Sequence, residues 1–337
     1  MANPPILSVL MPVFNSEKFV ADAIKSILHQ TFKDFEFLIL DDASTDRSLE
    51  IVKDFEEQDS RIKAFQNEKN LGVVESRNKL INFSKGKYIA WIDSDDIALE
   101  NRFEEEIKFL EKHPEIGMVG AYPVIIDEKG KKTGKWWFET NPQKLKIELF
   151  FHSPFLSSSV IIRKSRLPQD FYDSKFPVAE DFDLYSKISE YSEIANIAKF
   201  LVKYRINSKG LSKSYTEKME QLSVQVIKEH AERLGIKLEE NTIKNLRKAK
   251  KASKIAFKEI AEIEKSLISL KDLLSNNNHF DKKAVCEVIQ KYWFETCRKS
   301  THKGLEILKI FFRSPLFCKN LSLRDNTRLF VRALIKF

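Results

Sequence analysis

Three carboxylates close an apolar run of the chain. Asp93, Asp95 and Asp96 follow Tyr88–Ile92 directly. An apolar run that ends in acids predicts a buried strand, which delivers those acids to the edge of a sheet. Acids this close repel one another unless a cation lies among them, and carboxylate oxygens suit Mg²⁺ or Mn²⁺. The other interpretation is a solvated acidic turn after a strand.

A second predicted strand also ends in acids. Phe35–Leu40 is apolar and is followed directly by Asp41 and Asp42. Because parallel strands end at the same edge of a sheet, two acid pairs at two strand ends predict a polar pocket. Four predicted strands alternate with helices; they cover residues 7–15, 35–40, 63–66 and 88–92. The first of these helices is expected to be capped by Asn15 or Ser16, and the second is expected to begin at Ser44-Thr45-Asp46. This alternation predicts an α/β sandwich, and further strands are predicted over residues 116–126 and 158–162.

The composition is that of an ordinary globular protein, with 337 residues, 42% of them hydrophobic and 31% charged. Cys286, Cys297 and Cys318 lack the spacing of metal ligands and cannot all pair, which indicates a reducing compartment. The sequence shows no signal-peptide pattern and no apolar stretch near the roughly 20 residues that span a bilayer. Glycine-rich fingerprints of dinucleotide-binding dehydrogenases and of P-loop nucleotidases are absent, which disfavours both classes.

Charge divides the chain into two parts. Residues 215–337 carry 26 Lys and Arg against 15 Asp and Glu, a net charge of +11. Residues 1–214 carry 31 basic and 34 acidic residues, a net charge of −3. This asymmetry indicates different roles for the two parts.

Five segments in a fixed order resemble the family 2 glycosyltransferases, which are inverting enzymes with the GT-A fold. The segments are Pro12-Val13-Phe14-Asn15, Gln30-Thr31-Phe32, Asp41–Asp46, Asn70-Leu71-Gly72 with Arg77-Asn78, and Gly86–Asp96. The resemblance covers about residues 6–212. It implies a GT-A Rossmann-like sandwich with a central, mostly parallel sheet over residues 1–214. The remainder, residues 215–337, is predicted to be an α-helical C-terminal region.

The resemblance also implies roles for single residues. Those matching donor-binding positions are Pro12, Phe14, Asn15, Asp42, Arg77, Asp93 and Ser94. Asp42 corresponds to the acid that accepts the uracil N3–H. Asp93 and Asp95 match the Asp-x-Asp pair that binds the donor ribose and the metal, with Asp95 the better metal ligand, and Asp96 extends the acid cluster. Asp46 is interpreted as a helix N-cap rather than a donor contact.

Glu180-Asp181 opens a predicted helix and matches the family's Glu-Asp motif. The resemblance implies that Asp181 is the catalytic base, with Glu180 beside it. An inverting transfer needs one carboxylate placed to take the acceptor hydroxyl proton, and a helix N-terminus stabilises such a charge. The alternative is that both acids only cap the helix. Asp183 is the next candidate base.

Tyr204–Ser212 matches a family segment that in many relatives reads Tyr-Arg-x-His with a later Ser. Here Asn207 stands at the His position. A His there completes a metal shell or contacts the diphosphate, and Asn is a poorer metal ligand. The Gln-x-x-Arg-Trp motif of processive relatives is absent, which favours the addition of a single sugar.

The C-terminal region is predicted to form helices over residues 215–234, 242–274, 281–299, 303–312 and 324–337, with a break at Asn276-Asn277-Asn278. One interpretation is a helical appendage whose Lys residues form a solvated face. Another is a peripheral membrane surface, because aromatic residues alternate with Lys and Arg. These aromatic residues are Trp293, Phe294, Phe311, Phe312, Phe317 and Phe330. No nucleic-acid recognition motif is present, so nucleic acid is not expected as a partner.

The sequence therefore predicts an inverting, non-processive glycosyltransferase that uses Mn²⁺ or Mg²⁺. It would move one sugar from a UDP-sugar to a hydroxyl of a glycan or lipid-linked glycan acceptor. The expected location is the cytoplasm, or a peripheral position on the inner face of the cytoplasmic membrane. The resemblance suggests bacterial surface-polysaccharide synthesis, of lipopolysaccharide or capsule. The alternatives are a catalytically weak nucleotide-sugar-binding module whose basic tail docks on a partner or membrane, and a nucleotidyltransferase.

Overall fold

The computed structural model describes residues 4–207, 216–317 and 331. Nine strands lie within these residues: β1 (Leu7–Val13), β2 (Phe35–Asp41), β3 (Ile62–Gln66), β4 (Tyr88–Trp91), β5 (Ile97–Ala98), β6 (Ile116–Ile126), β7 (Lys132–Lys135), β8 (Ile161–Arg163) and β9 (Glu193–Arg205). They form one sheet in the order β3-β2-β1-β4-β8-β6-β9-β5, with β7 paired to β6.

The sheet is mostly parallel, as predicted. Strands β3, β2, β1 and β4 pair in parallel, and so do β6 and β9 along most of their length. The antiparallel pairings, such as β8 with β4 and with β6, extend over only a few residues. Because β8 runs against both neighbours, β6 and β9 run in the same direction as β4. The carboxyl ends of β1, β2, β4, β6 and β9 therefore share one edge.

Helices cover both faces of the sheet. Those of the first unit are α1 (Val20–Leu28), α2 (Ser48–Gln58), α3 (Val73–Phe83), α4 (Arg102–Lys112) and α6 (Glu180–Ser189). Helix α5 (Pro142–Glu148) lies between α4 and α6 in the chain, but nearly all of it belongs to the second unit described below. The apolar faces of α1, α2 and α4 share one core with Tyr88, Ala90 and Ile92 of β4 and its extension. Side chains alternate along a strand, so Trp91 points to the opposite face, where Arg77 of α3 lies over its ring.

Two predicted element starts were wrong. Helix α1 begins at Val20, so neither Asn15 nor Ser16 caps it with a side chain. Asn15 instead has a left-handed backbone, with φ of 48°, and its Oδ1 accepts the Thr45 N–H. The strand predicted from Ser158 begins at Ile161, because Ser157–Ser159 form a 3₁₀ turn, hereafter the serine turn. Both errors lie at loops whose conformation depends on residues distant in sequence.

The chain divides into two compact units. The first contains Met1–Pro142 and Ser153–Leu222, and the second contains Gln143–His152 and Ser223–Phe337. This division differs from the predicted boundary after residue 214, because Gln143–His152 packs with the C-terminal helices. Phe150 and Phe151 are fully buried there, and Phe151 stacks on Tyr292 at 3.8 Å between ring centroids.

The described part of the second unit is helical, as predicted. Its helices are α7 (Thr216–Arg233), α8 (Glu240–Lys251), α9 (Phe257–Ser275), α10 (Lys282–Lys299) and α11 (Glu306–Arg313). The single helix predicted over residues 242–274 is in fact two. The chain is not helical between α8 and α9, where Ile255 lies in the core with 1% exposure. The Glu259 carboxylate accepts the Ala256 N–H and so caps the start of α9. A Lys-rich sequence without Gly or Pro gave no signal of this break.

Three of the six aromatic residues behind the membrane interpretation lie inside the second unit. Trp293, Phe294 and Phe311 are at most 7% exposed, so they cannot reach a bilayer, whereas Phe312 is 41% exposed. Among the described residues, no helix is long and apolar enough to cross a membrane. Some predictions fall on residues that the structure does not describe. These residues are Ser212, Cys318 and Phe330, together with the helix predicted over residues 324–337 apart from Val331.

Candidate active site

The acid cluster predicted after β4 lies in a tight turn at the carboxyl edge of the sheet. The Asp96 N–H donates to the Asp93 carbonyl at 3.1 Å, which closes the turn. Asp95 Oδ2 accepts from the Asn207 amide at 3.1 Å. Asp96 is fully buried, and its Oδ1 accepts the Arg205 N–H at 2.8 Å. The end of β9 thus supports the two later acids of the cluster.

Negative charge in this cluster is only partly compensated. Burial and the charge of Asp93 raise the pKa of Asp95 to about 6. Burial, with the charges of Asp95 and Asp93, raises the pKa of Asp96 well above its ordinary value. The buried Asp96 Oδ2 has no hydrogen-bond partner among the described residues. A cation near these carboxylates would relieve their mutual repulsion.

Arg77 of α3 connects this cluster to a second acidic motif. Its Nη2 donates to Asp93 Oδ1 at 3.2 Å and to Ser157 Oγ at 3.0 Å. Its Nη1 lies 3.5 Å from Glu180 Oε1. The guanidinium is 4% exposed and lies 5.0 Å from the Trp91 ring centroid. One buried cation therefore joins carboxylates that are 87 residues apart in sequence.

Glu180 and Asp181 form the first turn of α6, as predicted. The N-cap residue, Ala179, has no side-chain cap, and Asp181 Oδ1 accepts the Phe182 N–H at 2.6 Å. Burial raises the pKa of Glu180 to about 7, although the charge of Arg77 acts in the opposite direction. Burial also raises the pKa of Asp181, again against Arg77. Both acids thus titrate nearer to neutral pH than free carboxylates do.

Asp183, the alternative base, is in a different environment. It is fully buried and its Oδ2 forms an ion pair with Lys187 Nζ at 2.6 Å. A carboxylate in this position stabilises α6 from within and has no access to an incoming hydroxyl. The geometry therefore favours Asp181 over Asp183 for contact with a substrate.

Asp42 lies at the end of β2 with 4% exposure and already accepts three hydrogen bonds. Oδ1 accepts from the Asn67 amide at 2.7 Å and from the Leu71 N–H at 2.9 Å, and Oδ2 accepts the Gly72 N–H at 2.8 Å. An ionised carboxylate has about four acceptor positions, so one remains on Oδ2. Asp42 therefore holds the turn before α3, and its predicted role in reading a base stays a prediction.

The remaining predicted donor residues lie at the ends of β1 and β4. Phe14 follows β1 and is 47% exposed, which is unusual for an aromatic side chain beside a buried strand. Pro12 is half-buried within β1. Ser94 Oγ lies 2.6 Å from Ser16 Oγ, which ties the acid turn to the loop after β1. Asp46 accepts the N–H groups of Ser48 and Glu17, a structural role for this acid.

The serine turn was missed by the sequence reasoning. Ser158 Oγ donates to Asp93 Oδ2 at 3.0 Å and accepts the Asp93 N–H at 3.1 Å, while Ser157 accepts from Arg77. Both serines are at most 8% exposed. The available signal was three consecutive serines directly before an apolar strand, since hydroxyls placed there need buried partners.

Comparisons with known proteins agree with this geometry. Residues 8–167 match the model of glycosyl transferase family 2. The uncharacterized glycosyltransferase MJ1057 of Methanocaldococcus jannaschii is 35% identical over 235 residues, which are 67% of this chain and 79% of the relative. The chain belongs to glycosyl transferase family 2. It is thus a glycosyltransferase, as predicted.

Two further proteins extend the comparison of this family 2 enzyme. The Escherichia coli UDP-Glc:alpha-D-GlcNAc-diphosphoundecaprenol beta-1,3-glucosyltransferase WfgD is 30% identical over 211 residues, which are 61% of this chain and 79% of WfgD. The structure of S. aureus TarS 1-349 in complex with UDP-GlcNAc superposes with a TM-score of 0.58 at 20% identity, covering 86% of this chain and 90% of that one. This likeness confirms the predicted GT-A fold.

Proposed function

We propose that the enzyme transfers one sugar from a UDP-sugar to a hydroxyl of a saccharide or lipid-linked saccharide, with inversion at the anomeric carbon. The observation that carries this proposal is the position of Arg77, within ion-pair distance of both Asp93 and Glu180. The Asp-x-Asp acids and the Glu-Asp motif therefore lie on either side of one buried guanidinium. The UDP-sugars named for WfgD and TarS support UDP as the nucleotide.

Asp95, with Asp93, is proposed to hold Mn²⁺ or Mg²⁺. Among the described residues, no group of three His, Cys, Asp or Glu side chains is arranged to hold a metal. A Mg²⁺-type site needs only one or two carboxylates, because substrate phosphates and water supply the other ligands. A cation beside Asp95 would offset the repulsion from Asp93 that raises the pKa of this acid. When bound, the ion stabilises charge on the departing diphosphate.

Asn207 stands where many relatives have His, and its amide nitrogen donates to Asp95. The orientation of an amide follows from its hydrogen-bond partners. With a cation on Asp95, the opposite orientation would present Asn207 Oδ1, a hard oxygen ligand. Asn207 is therefore compatible with a metal site, although its replacement of His on its own slightly favours the binding module without turnover.

Asp181 is proposed to accept the proton of the attacking hydroxyl. A general base is most effective when its pKa lies near the working pH, and burial moves the pKa of Asp181 in that direction. Its Oδ1 is fixed by the Phe182 N–H, which orients the second oxygen. Arg77 holds Glu180 beside it, so that Glu180 is proposed to position the acceptor.

A cytoplasmic reaction at the inner face of the cytoplasmic membrane is proposed if the acceptor is lipid-linked, as the name of WfgD states for its own acceptor. Synthesis of a bacterial surface polysaccharide, lipopolysaccharide or capsule fits such an acceptor. Membrane contact through the second unit would use Phe312 and Leu305, which are 41% and 54% exposed, rather than the buried aromatic residues.

The test is UDP release from a panel of UDP- and GDP-sugars, with Mn²⁺, over a panel of saccharide acceptors. Asp181→Asn is expected to lower turnover by about 10²–10⁴-fold, the usual contribution of a general base. UDP binding should stay as in the wild type, which shows that the variant is folded. Glu180→Gln is the comparison and should lose less. Normal turnover of Asp181→Asn on the true acceptor would place the base elsewhere.

A further inference from the structure

Four aromatic side chains form a connected cluster on the β6–β7–β9 part of the first unit. This aromatic platform consists of Tyr122, Trp137, Phe138 and Phe200, whereas Trp136 contacts Tyr204 instead. Phe200 lies at its centre, in edge contact with Tyr122 at 5.5 Å and with Trp137 at 5.9 Å between ring centroids. Edge contacts fix ring orientations, so the platform is a preformed surface.

One ring of the platform is unusually exposed. Trp137 is 68% exposed, whereas Trp91 and Trp293 are fully buried. With Tyr122, Phe138 and Phe200 around it, the Trp137 indole leaves a large apolar area in water. Such exposed patches mark sites where a ligand or partner binds.

The platform is continuous with the active site through β6. A Cβ atom on Gly120 would lie 2.5 Å from Asn196 Oδ1, 2.9 Å from Phe155 Cδ1 and 3.4 Å from Ser159 Oγ. Gly120 thus lies directly under the serine turn, which holds Asp93 and Arg77. Tyr122 is on the same face of β6, roughly 7 Å further toward the carboxyl end, because side chains alternate along a strand.

A second connection runs through the loop after the platform. The Asn196 amide donates to the Glu139 carbonyl at 2.9 Å and to the Pro154 carbonyl at 3.1 Å. Phe155 then contacts Tyr185 of α6 at 5.6 Å between ring centroids. The platform, the serine turn and the helix that begins with Glu180-Asp181 are therefore joined by one series of contacts within the first unit.

We propose that the aromatic platform is the acceptor subsite, where a pyranose ring of the acceptor glycan stacks on Trp137. The proposal rests on the proposed function, since it names the acceptor class of the same site. The C–H groups of a pyranose carry partial positive charge, and the faces of indole rings carry partial negative charge. Stacking of this kind selects a saccharide by shape and leaves its hydroxyl groups accessible.

Polar groups at the margin of the platform can bind those hydroxyls. The Glu139 carboxylate lies close enough to Tyr122 to contribute, with burial, to a raised pKa of its hydroxyl. Lys135 Nζ lies 4.0 Å from the Phe200 ring centroid and covers that ring, so Phe200 supports the platform and the Trp137 indole faces the ligand.

Binding is tested on an array of immobilised mono- to tetrasaccharides, with the full-length protein. We expect binding that falls at least tenfold in Trp137→Ala and Trp137→Leu and that partly recovers in Trp137→Phe, which retains an aromatic face. Phe257→Ala is the matched control, because Phe257 is 43% exposed in the second unit. Absence of glycan binding by the wild type, or equal binding by Trp137→Ala, overturns the proposal.

Tryptophan fluorescence gives an independent readout. Because Trp91 and Trp293 are buried, quenching by acrylamide reports on Trp136 and Trp137. Saccharides from the array should protect this fluorescence. Protection by phosphatidylglycerol vesicles but not by saccharides shows that the surface binds lipid and overturns the proposal. UDP affinity should be the same in every Trp variant as in the wild type, because the platform does not bind the nucleotide. If the wild type does not bind UDP at all, the proposed function is wrong, but the platform is not tested by that result.

Discussion

Replacement of Arg77 tests the connection between the two acidic motifs. Arg77→Met removes the only buried cation that joins Asp93 to Glu180 in the described residues, while it keeps most of the side-chain volume. The guanidinium donates hydrogen bonds to Asp93 and Ser157 at 3.2 and 3.0 Å and forms the ion pair with Glu180 at 3.5 Å, and the Met side chain can make none of these interactions. Both acids then keep their charge without this cation, or take up a proton.

The expected loss of stability follows from burial. Removal of one partner of a buried ion pair costs about 3–5 kcal/mol. Two features place Arg77→Met at the lower end: Glu180, with a pKa of about 7, can take up a proton, and the Asp93 side chain is 34% exposed to water. A loss of about 3 kcal/mol corresponds to about 6–12 °C in the Tm of a domain of this size.

Thermal unfolding by circular dichroism measures this loss, and Arg61→Met is the control. Arg61 also pairs with an acid, Asp59 at 2.7 Å, but the two side chains are 26% and 23% exposed. A pair near the surface contributes about 0–1 kcal/mol. Arg77→Lys keeps the charge but cannot reach both acids with a planar fork, so turnover should fall about 10²-fold through misplacement of Glu180. Equal Tm values for Arg77→Met and Arg61→Met, or full turnover of Arg77→Lys, would refute the reasoning.

Three further predictions concern single side chains. Burial raises the pKa of Glu106 to about 7, although the Arg102 guanidinium at 3.0 Å acts in the opposite direction. The folded state therefore keeps a proton that the unfolded state releases above about pH 4.5. The stability of the wild type should fall between pH 4.5 and 7, whereas that of Glu106→Gln should not, and a Tm difference between the two that is independent of pH contradicts this. Asp42→Asn places amide donors against the Leu71 or Gly72 N–H, which should lower the free energy of unfolding by about 1–3 kcal/mol. The same change should weaken UDP binding. If UDP affinity and the discrimination between UDP and CDP are both unchanged, Asp42 does not read the base. Phe151→Ala should cost about 3–5 kcal/mol because Phe151 is fully buried, and a Tm within about 1 °C of that of Phe257→Ala shows that residues 143–152 do not belong to the helical core.

The sequence by itself determined the fold and the positions of the acids. Continuous apolar runs of five to eleven residues predict buried strands, and β6 has the predicted bounds, Ile116–Ile126. The alternation of these runs with amphipathic segments predicted the helices and the parallel sheet. Local spacing was enough to single out Asp93, Asp95, Glu180 and Asp181 as candidates, because each motif is contiguous.

Only the tertiary structure decided which groups these acids contact. Arg77 joins two motifs far apart in the chain, and the serine turn reaches Asp93 from 65 residues away. Phe151 is buried within the second unit, although the resemblance placed it in the GT-A domain. Trp293 is buried there too, although its sequence neighbours suggested a membrane surface. Periodicity shows that a side chain will be covered, but not by which element. Which element covers a side chain depends on long-range packing. An apolar or charged residue can be stabilised by many different partners, and the fold decides which of them lies next to it.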